Sequence, residues 1–274
     1  MTGTCGPAGP ILVVEDDPTN RTVLARQLAI VGITAEMAEN GEEGLRRWRE
    51  GRFALVLSDL HMPVSDGFAL VRAIRAEEAG RSRTPVLAFS ADVRVGQVER
   101  VRDAGFDAFL TKPLQLAGLR DALDRWMPRT GAAQAVGALG SGHEGVAVSQ
   151  VFDVTALREI VGDEPGVMLE IVAYFDTVAM EIRAELLRAA EAGDGTGAVM
   201  LAHRLKSSAR SVGALPLSEV CDALESDGAD GAGEPLERRV AAVVDALDAA
   251  LAAMRDWRGS RAPTEDSMKA WSSQ

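Results

Sequence analysis

The chain has 274 residues, 47% of them hydrophobic and 26% charged, a length that favours two domains and a composition typical of soluble globular proteins. Its 29 basic against 41 acidic residues give a net charge of -12, which disfavours bulk electrostatic contact with nucleic acid or anionic lipid. Only Cys5 and Cys221 are present, too few for a disulfide framework, and no apolar run suits a signal peptide or the roughly 20 residues of a membrane span, so a cytoplasmic protein without membrane insertion is expected.

From residue 11 onward short apolar runs alternate with helical patterns. Strands are predicted at Ile11 to Val14, Ile33 to Met37, Ala54 to Ser58, Pro85 to Phe89 and Ala108 to Leu110. Helices are predicted around Thr19 to Val31, Gly41 to Glu50, Gly67 to Ala76, Val93 to Ala104 and Gln115 to Trp126. Such alternation implies a doubly wound five-stranded parallel sheet over residues 10–128, with its site at the carboxyl ends of the strands. Residues 129–150 are rich in Gly, Ala and Ser without a period. They read as a flexible linker of about 25 Å mean span, through which two domains meet without being locked together.

Beyond this linker every long segment has helical period. Val154 to Val161 is a short leading helix, and Pro165 suits a first helical turn, where its missing N–H has no intrahelical role. Apolar stripes at Ile171, Phe175, Val178, Ile182 and Leu186, at Leu217, Val220, Cys221 and Leu224, and at Val240, Val243, Leu247, Leu251 and Met254 predict an antiparallel four-helix bundle over residues 151–258. Breaks are expected at Gly193 to Gly197 and Asp227 to Gly233, and residues 259–274 read as a disordered polar tail.

Glu15, Asp16 and Asp59 should leave neighbouring strands at one end of the sheet, where three carboxylates repel one another. A hard divalent cation such as Mg²⁺ removes that conflict, taking carboxylates and a phosphate oxygen. One carboxylate can then attack phosphorus to form an acyl phosphate. Transfer of this kind needs charge neutralisation and positioning, for which Lys112 supplies a cation and Ser90 a hydroxyl donor. Asp17 and Asp66 read as solvated loop carboxylates, and His61 as a surface residue.

Four stretches carry a family resemblance: Ile11-Leu12-Val13-Val14-Glu15-Asp16-Asp17; Ser58-Asp59-Leu60-His61-Met62-Pro63 with Asp66-Gly67; Leu87-Ala88-Phe89-Ser90-Ala91; and Phe109-Leu110-Thr111-Lys112-Pro113. With these, residues 11–127 resemble a response-regulator receiver domain, whose fold is flavodoxin-like. The resemblance implies that Asp59 is the phosphoacceptor, that Glu15, Asp16, Asp59 and the backbone carbonyl of His61 hold Mg²⁺, and that Ser90 and Lys112 contact the phosphoryl group. Glu15 stands where many members carry Asp, and Ser90 where Thr is common. Ser90 and Phe109 fall at the family's switch positions; Phe109 lacks the hydroxyl of a tyrosine, so a switch there would run on packing alone.

In the predicted helix from about Thr196 to Val212, Leu201, Leu205 and Val212 should face the core. His203 lies about 200° from each leucine by the 3.6-residue period, and shares its expected exposed face with Lys206, Ser207 and Arg210. An exposed imidazole beside a cation suits attack on an acyl phosphate, although spacing alone equally fits an ordinary surface histidine. The stretch Ala202-His203-Arg204-Leu205-Lys206-Ser207-Ser208 with Gly213-Ala214 gives the second half a resemblance to a histidine phosphotransfer domain, with Ser207 where the family usually has Gly. His143 falls in the linker and carries no expected chemistry.

Together the resemblances imply two-component signalling: Mg²⁺-dependent phosphorylation of Asp59, transfer to or from His203 assisted by Lys206, and onward transfer to a separate receiver. The expected partners are an upstream sensor histidine kinase and a downstream response-regulator receiver. Two other readings stay open at this point. One is a phosphorylation-dependent binding regulator whose helical domain is a docking module or phosphate sink; the other is the C-terminal part of a hybrid sensor kinase. No segment resembles an ATP-binding kinase domain, so phosphate is expected to come from elsewhere.

Overall fold

The computed structural model describes residues 9–62, 65–78, 83–90, 97–127, 151–228 and 234–260. The expected linker 129–150, Pro63, Ala91, Cys5, His143, the beginning of the helix expected from Val93, residues 229–233 of the second break and the tail from residue 261 lie outside them.

Five parallel strands, β1 (Ile11–Val14), β2 (Ala35–Ala38), β3 (Leu55–Asp59), β4 (Val86–Ser90) and β5 (Ala108–Thr111), form one sheet in the order β2-β1-β3-β4-β5. The uninterrupted apolar runs of β1, β3 and β4 follow from burial on both sheet faces, as in parallel sheets covered by helices. Ile11, Val13, Leu55, Leu57, Leu87 and Phe89 point to one face. There they meet α1 (Pro18–Ile30) through Leu24 and Leu28, and α5 (Leu116–Trp126) through Leu119 and Leu123. The alternate residues Leu12, Val14, Val56, Val86 and Ala88 pack on α2 (Gly41–Glu50), α3 (Gly67–Glu77) and α4 (Gln97–Ala104). The strand order reverses between β1 and β3, so their carboxyl ends open a crevice.

Strand β2 begins two residues later than the sequence suggests, because Ile33 serves the end of α1. Its N–H donates to the Leu28 carbonyl at 2.9 Å after Gly32 turns the chain at φ 76°. A residue with a Cβ is disfavoured at such positive φ, which suits glycine as a helix stop.

The second half comprises α6 (Val154–Val161), α7 (Pro165–Glu191), α8 (Gly195–Ser211), α9 (Leu215–Asp227) and α10 (Leu236–Gly259). Ile171, Phe175, Ile182 and Leu186 of α7 are buried against Leu217, Cys221 and Leu224 of α9 and the Val240–Met254 stripe of α10. Helix α8 inserts mostly small residues, Ala198, Ala202 and Ala209 with Leu205, which lets its backbone lie close to its neighbours. Asp194 caps α8 by accepting from Gly197 N, so Gly195 to Gly197 opens a helix instead of extending a loop. Helix α10 continues through Gly259, one residue into the expected tail.

The two halves meet, as the expected linker allows, and helix α1 is the element they share. Helix α1 is buried on two sides: Leu24 and Leu28 face the sheet, while Val23 joins the core of the helical half. Gln27, fully buried, donates through Nε2 to the carbonyls of Leu114 at 2.5 Å and Ile160 at 2.6 Å, tying both halves to one amide. Arg26 pairs with Glu170, and Gln115 Nε2 donates to Glu159 at 2.9 Å.

Gly67 places α3 directly against the end of β3. A Cβ there would lie 2.1 Å from the Asp59 carbonyl oxygen and 3.0 Å from Ser58 Oγ. Gly67→Ala is therefore expected to destabilise the α/β half by about 1–3 kcal/mol through overpacking, measured by denaturant unfolding; an unchanged midpoint would contradict this packing.

Candidate functional site

The strand register brings the acidic residues together. Val14 pairs with Ser58, so Glu15 and Asp16 emerge beside Asp59, the last residue of β3. Carboxylate oxygens of Glu15, Asp16 and Asp59 all lie within 4.8 Å of one another. Lys112, just past β5, donates through Nζ to Asp59 Oδ2 at 2.5 Å and to Glu15 Oε2 at 2.6 Å, and its ammonium lies 4.4 Å from the Phe89 ring centroid.

This cluster is electrostatically costly. Burial pushes Glu15 up to about 8 despite Lys112, and the Asp59, Asp16 and Asp17 charges add to the rise. Asp16 is raised by burial and then by Asp59. Burial alone would lower the Lys112 ammonium, but Asp59 and Glu15 more than offset it and hold it above its ordinary value. One lysine thus faces three carboxylates, an imbalance that a divalent cation would relieve.

Ser90 is buried at the end of β4, and its carbonyl accepts from Lys112 N at 2.9 Å. The His61 ring is exposed while its backbone N–H donates to Asp59 Oδ1 at 3.2 Å. Phe109 is half-buried against the apolar layer containing α3 and α4. Asp66 is exposed and caps α3 by accepting from Ala69 N at 2.7 Å. Asp17 departs from the expected solvated carboxylate: at 2% exposure it caps α1 by accepting from Asn20 N at 2.8 Å and also accepts from Ser208 Oγ of α8 at 3.0 Å.

Two further residues build the pocket without a sequence signal. Arg21 donates to the Glu15 and Asp16 carbonyls at 2.8 and 2.7 Å, fixing the loop that aims those carboxylates. Asn20 donates through Nδ2 to Glu15 Oε1 at 3.2 Å and to Ser207 Oγ at 2.8 Å, and its Oδ1 accepts from Ser211 Oγ at 2.7 Å. A helical Asn-Arg pair resembles any polar face, so periodicity offers no signal for either role.

His203 is exposed on α8 as expected, with 49% of its side chain accessible. Lys206 is not. It is 9% exposed, because α9 runs alongside α8 and its Asp222 and Glu225 accept from Lys206 Nζ at 2.9 and 2.8 Å. A cation one helical turn from His203 was drawn into the groove between helices by carboxylates that single-helix geometry could not foresee. Glu225, also absent from the sequence reading, lies 3.0 Å from His203 Nδ1. Burial would raise Glu225, but hydrogen bonds from His203 and Lys206 bring it below its usual range. As an ionised carboxylate it only accepts, so Nδ1 carries the proton, and in the neutral imidazole Nε2 keeps its lone pair. Its second oxygen, Oε1, is buried without a hydrogen-bond partner among the described residues. The hydrogen bond to Glu225 raises His203 above its ordinary value; burial and Lys206 oppose this, and the Asp59 charge adds to it.

Fold and geometry define a protein with an acidic switch-point pocket in an α/β domain docked against a histidine-bearing helical bundle. Residues 11–124 match the response regulator receiver domain and residues 170–257 the Hpt domain; the chain belongs to the two-component phosphorelay proteins, with the domain order seen in hybrid kinases. It is 29% identical over 262 residues to the virulence sensor protein BvgS of Bordetella parapertussis, covering 90% of this chain and 21% of that protein. It is 30% identical over 244 residues to the sensor histidine kinase AruS of Pseudomonas aeruginosa, covering 85% and 23%. The chain therefore spans about a fifth of the length of these relatives. The solved receiver domain of the sensor histidine kinase PA1611 from Pseudomonas aeruginosa, which holds a magnesium ion in its active-site cleft, is 36% identical. That comparison covers 44% of this chain and 100% of the solved one, with a TM-score of 0.41. No described helix is long and apolar enough to cross a membrane.

Because Glu225 holds His203 above its ordinary value, Glu225→Gln should lower the imidazole titration midpoint. Protonated His203 would then be lost at lower pH than in the wild type, as followed by NMR of the ring; an unshifted midpoint would contradict the pairing.

Proposed function

We propose that this protein accepts a phosphoryl group on Asp59 and passes it to His203, from which a separate receiver takes it. The upstream donor is a histidine kinase, in keeping with the phosphotransfer partners that receiver and Hpt domains imply. One observation carries the reading: the chain's own receiver is docked so that Lys112, Glu15, Asn20 and Ser207 form a continuous hydrogen-bonded run from the Asp59 pocket to a point one helical turn past His203.

Receiver domains generally bind Mg²⁺ at an acidic site, and Glu15, Asp16 and Asp59 supply the hard oxygen donors that ion prefers, with the His61 carbonyl as a further ligand. When bound, the ion would neutralise the crowded carboxylates and the phosphoryl oxygens. The chain's own residues supply the rest. Asp59 is the nucleophile toward phosphorus. Lys112 pairs with a phosphoryl oxygen in place of one of its carboxylate partners, and the Ser90 hydroxyl donates to another, with Ser90 and Phe109 forming the switch pair.

In the second step the lone pair of His203 Nε2 attacks the phosphorus of the Asp59 acyl phosphate. A P–N bond forms as the P–O bond to Asp59 breaks, and the electron pair leaves with the Asp59 carboxylate. The Nδ1 proton stays in place, so the phosphorylated ring becomes cationic, and Glu225 stabilises that charge. Lys206 restrains Glu225 and adds positive potential near the incoming phosphoryl group. The proposed units are a receiver over 10–128, a linker over 129–150, the phosphotransfer bundle over 151–258 and a tail over 259–274.

A small phosphodonor with Mg²⁺ should label wild type first at Asp59, as base-labile acyl phosphate, and then at His203, as base-stable phosphoramidate. Asp59→Asn should abolish both, His203→Gln should retain only the first, and chelation of the metal should prevent labelling. Labelling of Asp59 without any at His203, even with a cognate receiver present, would leave the helical domain a docking module and overturn the relay.

A further inference from the structure

Three hydroxyls on α8 meet the start of α1. Ser207 Oγ accepts from Asn20 Nδ2 at 2.8 Å, Ser208 Oγ donates to Asp17 Oδ2 at 3.0 Å, and Ser211 Oγ donates to Asn20 Oδ1 at 2.7 Å. Ser207, Ser208 and Ser211 lie four, five and eight residues beyond His203 in sequence, so at about 100° per residue they occupy an arc beside it on the helix. Resting on the phosphorelay reading above, we propose that this arc is the partner-selecting surface of the helical domain. It admits a receiver that presents a carboxylate at the N-cap of its first helix and a carboxamide three residues later, as Asp17 and Asn20 do.

The physical basis is an asymmetry in what each side can fall back on when a docked partner does not match. Ser208 Oγ is also 2.8 Å from the Arg204 carbonyl, and Ser211 Oγ is 3.2 Å from the Ser207 carbonyl, each on its own helix. When no receiver is docked, both hydroxyls fall back on these acceptors four residues earlier. The helical domain therefore presents satisfied groups in either state, which suits a contact made and broken in each transfer cycle. The receiver side has no such reserve once buried. Asp17 is left with a carboxylate oxygen that needs the Ser208 donor, and Asn20 exposes an amide hydrogen and an oxygen that need Ser207 and Ser211. A receiver with an apolar or basic residue at the N-cap position would bury nothing that these hydroxyls can serve. Asn20 also touches Glu15, so the selecting contacts are continuous with the acidic pocket and align it with His203.

The test uses the full chain, a small phosphodonor with Mg²⁺, and the rate of phosphoramidate formation normalised to acyl phosphate at Asp59. Ser208→Asp sets a carboxylate against Asp17. It should leave Asp59 labelling unchanged and slow transfer to His203 by about tenfold or more. The reciprocal variant D17S/S208D returns a hydroxyl–carboxylate pair with its direction reversed, and serine remains a good helix N-cap, so transfer should recover to within about threefold of wild type. Wild-type transfer in S208D, or a double variant as slow as S208D, would overturn the selecting role. Absence of phosphoramidate in the wild type would instead overturn the relay itself.

Discussion

Everything at the pocket depends on three carboxylates being held within 4.8 Å of one another in a place where burial raises Glu15 and Asp16. The sheet imposes that crowding: parallel strands of matched register must release their next residues side by side. Lys112 relieves part of the repulsion through Glu15 and Asp59, and on the proposed reading the shortfall of positive charge that remains is met by a divalent cation, which brings a phosphoryl group with it. The helical half repeats the arrangement with the roles exchanged. There Lys206 is shared by Asp222 and Glu225, and the charge that Glu225 retains is directed at His203. On the proposed reading, one half is short of cations before it is phosphorylated, and the other is prepared for a cation formed afterward.

Helix α1 joins the two. Its sheet-facing leucines hold the receiver together, while Asn20, Val23 and Gln27 lie against the helical half. A polar interface of hydroxyls and amides is weaker than an apolar core of similar size and is easier to open, because its groups find partners elsewhere when exposed. On the proposed reading, that suits a histidine which also meets a second receiver.

Much of the fold could be read from residue order. Unbroken apolar runs such as Ile11 to Val14 indicate a sheet covered on both faces, and the α7 stripe through Phe175 and Leu186 indicates a bundle. The pocket was legible because its residues terminate strands, a position fixed by local pattern. Contacts between elements were not legible. Lys206 and His203 share a face of an isolated helix, yet α9 brings Glu225 and Asp222 to the first and Glu225 to the second. Asp17 reads as a loop carboxylate until Ser208 covers it, and α1 lacks a clear polar side because both of its sides are used. Each of these depends on a neighbour distant in sequence, which neither spacing nor propensity encodes.

The central claim is that Asp59 and His203 of the same chain work together in the docked arrangement. It is tested most directly by comparing phosphoramidate formation in dilute wild-type protein with that in an equimolar mixture of Asp59→Asn and His203→Gln chains, in which transfer can occur only between molecules. Rapid formation is expected in the wild type and little in the mixture. Equal rates in the two would contradict it.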